Sequence, residues 1–517
     1  MIQARVLWWV FVATALFVAW PALNGQFLSD DLAIMHWLLG WDAQGSFWSS
    51  IFAKFGAGLD VPSHYYRPLA LVTYGLDQRL FGWSPLAWHL TGFALHVANA
   101  ALVAAVMRAL GGDALRAVTA AGLFLCFPLA PEVSIWFSGR YDLLAVTGML
   151  VAVYGHLRAQ GLDRWRALSL FGFVLGLTAK EAAMPTPGLL VLASLLLTPA
   201  GESLPRRALR VLRDSWPATL VFFAYLGWRG FLFGDPLKVY PGSDPSASLG
   251  AAEIVQRLSD LMLIPRVAFA DAPGAGTVAL AALVVALAGA AFVASRERTL
   301  VRAWLLPVAW TVLSLLSLVP HLSGVLGHGE GGRFYYATAA WLALAMAPAI
   351  GVVAAPARVV ASTALVAAFL VAQAHALAHW ARAGQSMAVL MPQLAATADR
   401  LDADAFALVV VPDHIGPVPF ARNAQGGIAM PPQQPRNLLP QLVPILPVAI
   451  PTWPARIAGG DVALIKQRDM APRLDALFCF DARDQALKRA NEVPDWRDAE
   501  AFERATRQFV QTSCDLR

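Results

Sequence analysis

Residues 115–158 read LRAVTAAGLFLCFPLAPEVSIWFSGRYDLLAVTGMLVAVYGHLR, and this stretch contains the pattern that decides the fold. Two apolar runs, 115–131 and 141–157, flank a short connection that carries Glu132 and Arg140. Each run is long enough to cross a thinned or tilted bilayer as a helix. The stretch therefore predicts two membrane helices with charged residues in the turn between them.

The same pattern continues outward along most of the chain. Of the 517 residues, 58% are hydrophobic and only 14% are charged, whereas a soluble domain is about a quarter charged. We expect the first helix to stay uncleaved, because no small-residue cleavage site follows it. About eleven transmembrane helices are predicted, at 6–23, 90–107, 115–131, 141–157, 166–179, 184–198, 215–233, 277–294, 303–319, 335–354 and 359–378.

The arginines predict the orientation, since cytoplasmic loops carry an excess of basic residues. The short outer connections would then hold only Arg140, Lys180 and Arg333. Because the basic residues lie in loops between apolar helices, the net charge of +5 does not indicate nucleic-acid binding. With a cytoplasmic N-terminus, the inner connections contain Arg108, Arg116, Arg158, Arg164, Arg166, Arg206, Arg207, Arg210, Arg213, Arg296, Arg298, Arg302 and Arg358.

Residues 381–517 differ from the membrane part, because they contain many prolines, mixed charge and short β-like runs at 407–411 and 462–465. The predicted fold class is an all-α polytopic membrane protein with a small C-terminal extracytoplasmic α/β domain. The transmembrane domain would span 1–380, with long outer loops at 24–89 and 234–276. An apolar face that begins at Phe47-Trp48 and includes Phe55 predicts an interfacial helix in the first of these loops. A disulfide between Cys479 and Cys514 is left open at this stage.

Unusual charged and aromatic residues fall on the predicted outer face. Ionisable groups at the bilayer surface are costly unless they are paired or functional. One interpretation is a set of structural ion pairs, such as Arg140 with Asp142 or Lys180 with Glu181. The other is a functional site. The set comprises Asp30, Asp31, Tyr66, Arg67, Glu132, Arg140, Asp142, Lys180, Glu181, Arg229, Glu330 and Arg333.

The chemistry of this set suits transfer from an anionic lipid phosphate. A carboxylate can take the proton of an acceptor hydroxyl as its oxygen attacks. Arginine holds phosphate oxygens bidentately, and lysine supplies a compact charge for the departing phosphate. A polyprenyl donor would keep its tail in the membrane and its head group at this depth.

The ordered series of motifs resembles the GT-C superfamily of membrane glycosyltransferases that use polyprenyl-phosphate sugars. It is similar in particular to the protein O-mannosyltransferases and the transmembrane-and-TPR-repeat O-mannosyltransferases. No TPR-like repeat follows in the C-terminal region, and a glycine-rich stretch precedes Arg333 where the family more often has a plain Glu-Arg pair. The motifs, over roughly residues 1–350, are Ser29-Asp30-Asp31, Tyr66-Arg67-Pro68-Leu69, His89 to Asn99, Pro131-Glu132, Trp136, Ser138-Gly139-Arg140, Asp142, Lys180-Glu181 and Arg333-Phe-Tyr-Tyr.

The resemblance implies residue roles. Asp31 or Asp30 would be the catalytic base, and supporting roles would fall to Tyr66, His96, Glu132, Asp142, Glu181, Arg229 and Glu330. For His96, packing between helices and contact with substrate both stay open. No cofactor is required and no metal site is assigned, although adjacent Asp30 and Asp31 could attract a divalent cation. Donor phosphate contacts would come from Arg67, Arg140, Lys180 and Arg333.

The implied function is an inverting glycosyltransferase that acts on the extracytoplasmic face of a bacterial inner membrane. Its partners would be a polyprenyl-phosphate sugar, membrane lipids and an acceptor that is a protein, a glycan or a lipid. A transporter or flippase of lipid-linked saccharides is the alternative, but transporters usually show repeated halves and charges near the midplane. A catalytically inactive assembly protein is a third interpretation.

Overall fold

A computed structural model describes residues 2–52, 65–197, 202–237, 250–296, 298–319, 330–402, 405–460 and 473–516. These residues are mainly helical, and each of the eleven predicted apolar runs overlaps a helix, although the run at 115–131 leaves its helix at Leu125 and the run at 335–354 continues as the 3-10 turn Ala347–Val352. The α-helices are Ile2–Leu23, Asp30–Ala43, Phe47–Phe52, Pro68–Phe81, Pro85–Ala109, Ala114–Leu125, Pro131–Ser134, Arg140–Arg158, Arg164–Ala179, Thr186–Leu196, Leu204–Phe233, Ala251–Ala268, Pro273–Arg296, Arg298–Leu318, Tyr336–Met346, Arg358–Ala398, Trp453–Ala458 and Ala499–Ser513. Short 3-10 turns lie at Phe137–Gly139, Glu181–Ala183, Gly332–Tyr335, Ala347–Val352, Ala355–Ala357, Gln425–Ala429 and Pro447–Thr452.

Several helices have the length and composition of membrane spans. Large apolar side chains such as Phe17, Leu220 and Phe231 are exposed, as expected of a surface that faces lipid tails rather than water. Three shorter apolar helices lie at Ala114–Leu125, Glu181–Leu196 and Trp304–Leu318. Within the described ranges, five helices are both long and apolar enough to cross a bilayer: Gln3–Leu23, Pro85–Ala109, Pro273–Arg296, Gly332–Val352 and Ala355–Ala398.

The chain forms two compact units. The first, the helical unit, consists of Met1–Trp20, Trp48–Gly82 and Ala87–Leu377. The second, the C-terminal unit, consists of Pro21–Phe47, Trp83–Leu86 and Ala378–Arg517. The predicted interfacial helix begins as expected and runs over Phe47–Phe52, whereas Phe55 lies outside the described residues.

A helical hairpin is central to the helical unit. Helices Arg140–Arg158 and Arg164–Ala179 run antiparallel and approach to backbone contact. A Cβ built on Gly148 would lie 2.5 Å from the carbonyl oxygen of Gly172, so no larger residue fits there. Ser169 adds a hydrogen bond from its hydroxyl to the carbonyl oxygen of Ala152, at 2.8 Å. Small residues let membrane helices pack this closely, and this close contact fixes the register of the two helices.

The C-terminal unit contains the small α/β region that the sequence predicts. Strand β1 (Phe406–Val410) is fully buried, because parallel strands β4 (Leu442–Ile445) and β5 (Leu474–Asp481) pair with it on either side. Strand β6 (Ala486–Arg489) pairs with β5, which gives the sheet the order β4-β1-β5-β6. The predicted strand at 407–411 is thereby confirmed, and the one at 462–465 lies outside the described residues. The other strands are β2 (His414–Ile415), β3 (Val418–Pro419), β4 (Leu442–Ile445), β5 (Leu474–Asp481) and β6 (Ala486–Arg489).

A disulfide joins the sheet to the last helix of this unit. Cys479 lies on β5, and Cys514 directly follows helix Ala499–Ser513. The helix begins at an Asp498 cap, whose carboxylate accepts the N–H of Ala501 at 3.0 Å. The disulfide left open by the sequence is thus formed in the structure.

Candidate active site in the helical unit

The hairpin places one ion pair at the end where its two helices meet the 3-10 turn Glu181–Ala183. Asp142 lies in the first turn of helix Arg140–Arg158, and Lys180 directly follows the antiparallel helix Arg164–Ala179. The ammonium of Lys180 donates to both carboxylate oxygens of Asp142, each at 2.8 Å. Both side chains are buried, at 7% and 9% exposure. The register of the hairpin therefore sets this pair.

A second pair joins Arg67 to Glu181. Nε of Arg67 donates to Oε2 of Glu181 at 3.2 Å, and Nη2 donates to Oε1. The guanidinium also lies over the rings of Tyr65 and Tyr141, at 4.2 and 4.9 Å from their centroids. Burial alone would raise the pKa of Glu181, but Arg67 and then Lys180 lower it to about 2. Glu181 is therefore ionised at neutral pH, and it locks Arg67 in a bidentate geometry.

Arg140 is paired with a residue that the sequence did not single out. Its Nη2 lies 2.6 Å from Oδ2 of Asp77, and it donates to the carbonyl oxygen of Trp88 at 3.1 Å. The side chain has no exposed surface and lies over the ring of Tyr74 at 5.0 Å. The predicted ion pairs of Arg140 with Asp142 and of Lys180 with Glu181 are therefore wrong. Arg140 pairs with Asp77, and Lys180 pairs with Asp142.

Arg333 is shared by two carboxylates. Its Nη1 donates to Glu132 at 2.7 Å and to Glu330 at 2.8 Å. The other oxygen of Glu132 accepts the backbone N–H groups of Gly331 and Gly332, at 2.9 and 2.6 Å. A Cβ on Gly332 would lie 2.7 Å from the carbonyl oxygen of Leu129, so the glycine-rich stretch is what allows this approach. Burial raises the pKa of Glu132, although Arg333 opposes it.

These charged groups border a cavity of about 400 Å³. Four charged side chains line part of this cavity, called its charged end: Asp142, Lys180, Glu181 and Arg333; the other walls are mainly apolar. Arg140 does not line it. A site with convergent charged groups at one end and apolar walls is typical of pockets that bind amphiphilic ligands. The walls include Val146, Met149, Met184, Pro185, Phe222, Leu313, Leu318, Phe334 and Ala337, with hydroxyls from Ser314, Ser317 and Thr338.

Three of the predicted supporting residues do not line the cavity. Arg229 donates from Nε to the carbonyl oxygen of Pro236 at 2.9 Å, and Tyr66 packs edge-on against Trp228 at 5.9 Å. His96 is buried, and its ring nitrogens lie 2.7 Å from the hydroxyl of Tyr336 and 3.0 Å from the carbonyl oxygen of Leu125. Both ring nitrogens of His96 therefore bond to neighbouring protein groups, as expected of a residue that packs between helices.

The two predicted base candidates belong to the C-terminal unit. Asp31 is buried, and its Oδ2 accepts the N–H of Leu28 at 3.2 Å. Asp30 is partly exposed, and its Oδ1 accepts from the amide of Asn423 at 2.9 Å. Ser29 anchors the segment by donating from its hydroxyl to the carbonyl oxygen of Arg422 at 2.8 Å. The adjacent carboxylates thus have different surroundings, and the base role and the divalent cation stay predictions.

Comparison with known proteins adds one relative by sequence. Protein O-mannosyl-transferase Tmtc1 of Drosophila melanogaster is 29% identical over 196 residues, which cover 35% of this chain and 21% of the relative. The chain thus spans about a fifth of the relative's length. No family model matches the chain. The match with Tmtc1 confirms the resemblance to the GT-C glycosyltransferases that the motifs predicted.

Two solved structures are also similar to this chain. ArnT from Cupriavidus metallidurans, bound to undecaprenyl phosphate, shows 16% identity and a TM-score of 0.45, over 80% of this chain and 84% of ArnT. The oligosaccharyltransferase of Archaeoglobus fulgidus, in complex with Zn and sulfate, shows 14% identity and a TM-score of 0.47. It is matched over 91% of this chain and 67% of its own.

Proposed function

We propose that this protein is an inverting glycosyltransferase that moves a sugar from a polyprenyl-phosphate donor to an acceptor on the extracytoplasmic face of a bacterial inner membrane. The observation that carries the proposal is the cavity of about 400 Å³ with Lys180 and Arg333 at its charged end. The curated relative is an O-mannosyl-transferase by name, which favours glycosyl transfer over lipid transport.

Lys180 is suited to a donor phosphate because of its remaining donor capacity. An ammonium carries three N–H donors, and two hydrogen bonds from Lys180 go to Asp142. A phosphate oxygen in the cavity can accept the third. Such charge-assisted bonds are strong where water is excluded. The apolar walls would contact the uncharged parts of the same donor.

The reaction would proceed by in-line displacement. The acceptor oxygen attacks the anomeric carbon, the bond from that carbon to the phosphate oxygen breaks, and polyprenyl phosphate leaves. Lys180 and Arg333 would stabilise the charge that gathers on the departing phosphate. The acceptor proton would pass to a carboxylate, for which the sequence favours Asp31 or Asp30. The sugar, hexose or pentose, and the acceptor are left open.

Two features support the proposed location. The arginines gather in the connections that would face the cytoplasm, as the positive-inside rule requires. The disulfide between Cys479 and Cys514 in the C-terminal unit is typical of proteins outside the cytoplasm. Labelling of engineered cysteines in intact cells, at position 200 and at position 440, would distinguish the two sides.

The test measures donor binding and consumption in parallel. Native mass spectrometry would follow binding of polyprenyl phosphate, and a panel of labelled polyprenyl-phosphate sugars would report transfer. We expect Lys180→Met to lower both by at least about tenfold, since one charge-assisted bond is worth about 1.5–3 kcal/mol. Arg210→Met is the control, because Arg210 pairs with Glu202 in a half-exposed position away from the cavity.

Each outcome separates the alternatives. Donor that changes leaflet without being consumed would establish the transporter and overturn the transferase. Loss of consumption in Asp31→Asn or Asp30→Asn, with binding unchanged, would identify the base. Activity that survives EDTA would exclude a divalent cation at the two aspartates as a requirement.

A further inference from the structure

One hydroxyl in the cavity wall has no hydrogen-bond partner among the described residues. Thr338 is 1% exposed, and within the described part of the chain its Oγ1 makes no hydrogen bond. Threonine in a helix commonly donates back to the carbonyl one turn earlier, as Thr311 does to Pro307 at 2.9 Å. A buried hydroxyl without a partner costs about 1–3 kcal/mol, so its retention at a cavity calls for a ligand.

Neighbouring hydroxyls make this part of the wall polar. Ser317 donates from its hydroxyl to the carbonyl oxygen of Ser314 at 2.7 Å, which leaves its lone pairs able to accept. The hydroxyl of Ser314 accepts from the indole N–H of Trp341 at 3.0 Å, and its own hydrogen can still be donated. Ser314, Ser317 and Thr338 all line the cavity, so they offer both donors and acceptors to one occupant.

The position of Thr338 relates this polar patch to the charged end. Phe334 and Thr338 both line the cavity, and residues four apart share a face of a helix. Thr338 therefore lies about one turn below the segment that carries Arg333. A group attached directly to a phosphate held at Lys180 and Arg333 would occupy the cavity that Thr338 also lines.

We propose that Thr338 binds a hydroxyl of the donor sugar and so contributes to sugar specificity. The proposal rests on the proposed function. An isoprenoid chain has no group that could hydrogen-bond to Thr338, whereas a sugar hydroxyl both donates and accepts. The apolar side chains beside it, including Met149 and Leu313, would pack against the carbon face of the ring. A site built to bond a hydroxyl discriminates against sugars that lack it.

The test compares two probes: polyprenyl phosphate without a sugar, and the same lipid carrying the sugar that the wild type transfers. Thr338→Val keeps the shape and removes the hydroxyl. We expect it to weaken binding of the sugar-linked probe roughly 3- to 10-fold, the effect of one neutral hydrogen bond, and to leave the plain lipid phosphate unchanged. Thr338→Ser should restore binding, and Thr311→Val is the matched control away from the cavity.

The outcomes distinguish the two proposals. If Thr338→Val weakens neither probe, or weakens both equally, the hydroxyl does not contact the sugar and the inference is wrong, while the transferase stands. If the wild type binds neither probe, the proposed function itself fails, and the inference with it. As a positive control, Lys180→Met should weaken the binding of both probes, because both carry the phosphate that Lys180 would bind.

Discussion

The two ends of the hairpin Arg140–Arg158 and Arg164–Ala179 both hold buried charge, but only one of them borders the cavity. At the cavity end, Lys180 is held by Asp142. At the opposite end, Nη1 of Arg166 lies 2.6 Å from Nδ1 of His156, and it donates to the carbonyl oxygen of Asp214 at 2.7 Å. In the first arrangement, the third N–H of Lys180 can donate to a group in the cavity. In the second, Arg166 bonds to other protein groups.

The closed end shows what a purely structural cluster looks like. Because Arg166 donates to Nδ1 of His156, that nitrogen is an acceptor, and Nε2 then donates to the hydroxyl of Ser194 at 2.9 Å. Arg166 is 5% exposed and does not line the cavity. Burial of charge is therefore not by itself a sign of function. The cavity beside the pair is what distinguishes Lys180.

The largest effect should come from breaking the hairpin on which both ends depend. A side chain at Gly148 would collide with the backbone of Gly172 and Gly176. We expect Gly148→Val to cost about 3 kcal/mol or more, since an overpacked interface between backbones cannot relax, and to abolish donor binding together with folding. Thermal stability in detergent would measure it, with Gly227→Val as control, because a Cβ at Gly227 meets nothing within 4 Å. A normal melting temperature for Gly148→Val would mean that the helices are not in contact here.

The next effect separates the two ends. Removing one partner of a buried pair leaves an uncompensated charge and costs about 3–5 kcal/mol. Lys180→Met and Arg166→Met should therefore both lower stability. Only Lys180→Met should weaken the binding of polyprenyl phosphate to the protein that remains folded. The double variant Lys180→Met with Asp142→Leu should regain stability without regaining binding. Equal loss of binding in folded Arg166→Met would erase the distinction between the ends.

Much of the helical part was predictable, because membrane helices are encoded locally as long apolar runs. All eleven runs overlap helices, although 115–131 and 335–354 do so only in part, and the fully buried strand β1 coincides with the apolar run at 407–411. The sequence also predicted which connections carry the charged residues, since alternate connections of a membrane protein lie on one side. It did not predict which of these charged residues pair with each other.

Local backbone geometry explains the errors in pairing. Lys180 has an extended backbone, with φ −163° and ψ 145°, so the side chains of Lys180 and Glu181 point to opposite sides. Arg140 and Asp142 are two apart in a helix, where side chains do not face each other. Asp77 lies in the predicted outer loop, and nothing in its neighbourhood marks it as the partner of Arg140. Thr338 was missed because an unsatisfied hydroxyl is visible only once its surroundings are known.

The smallest expected effect is a pH dependence confined to the cavity end. The pKa of Glu181 is about 2, below its ordinary value of 4.5, because Arg67 and Lys180 outweigh the effect of burial. A lowered carboxyl pKa gives stability that is complete above about 4.5 and is lost as the pH falls towards 2. We expect Glu181→Gln to flatten this part of the stability curve between pH 5 and 3.

Donor binding sharpens the same test. With a pKa of about 2, Glu181 in the folded protein stays ionised between pH 5 and 3 and keeps holding Arg67. Binding of polyprenyl phosphate by folded wild type should therefore not change through this group in that range, whereas Glu181→Gln, which removes the carboxylate, should bind more weakly at each pH. Melting curves and native mass spectra at pH 5, 4 and 3 would measure stability and binding on one sample. If folded Glu181→Gln binds the lipid phosphate as tightly as the wild type, Arg67 with Glu181 is a structural pair like the one at Arg166. If the variant binds more weakly at each pH, the ion pair orders the charged end of the cavity for the phosphate.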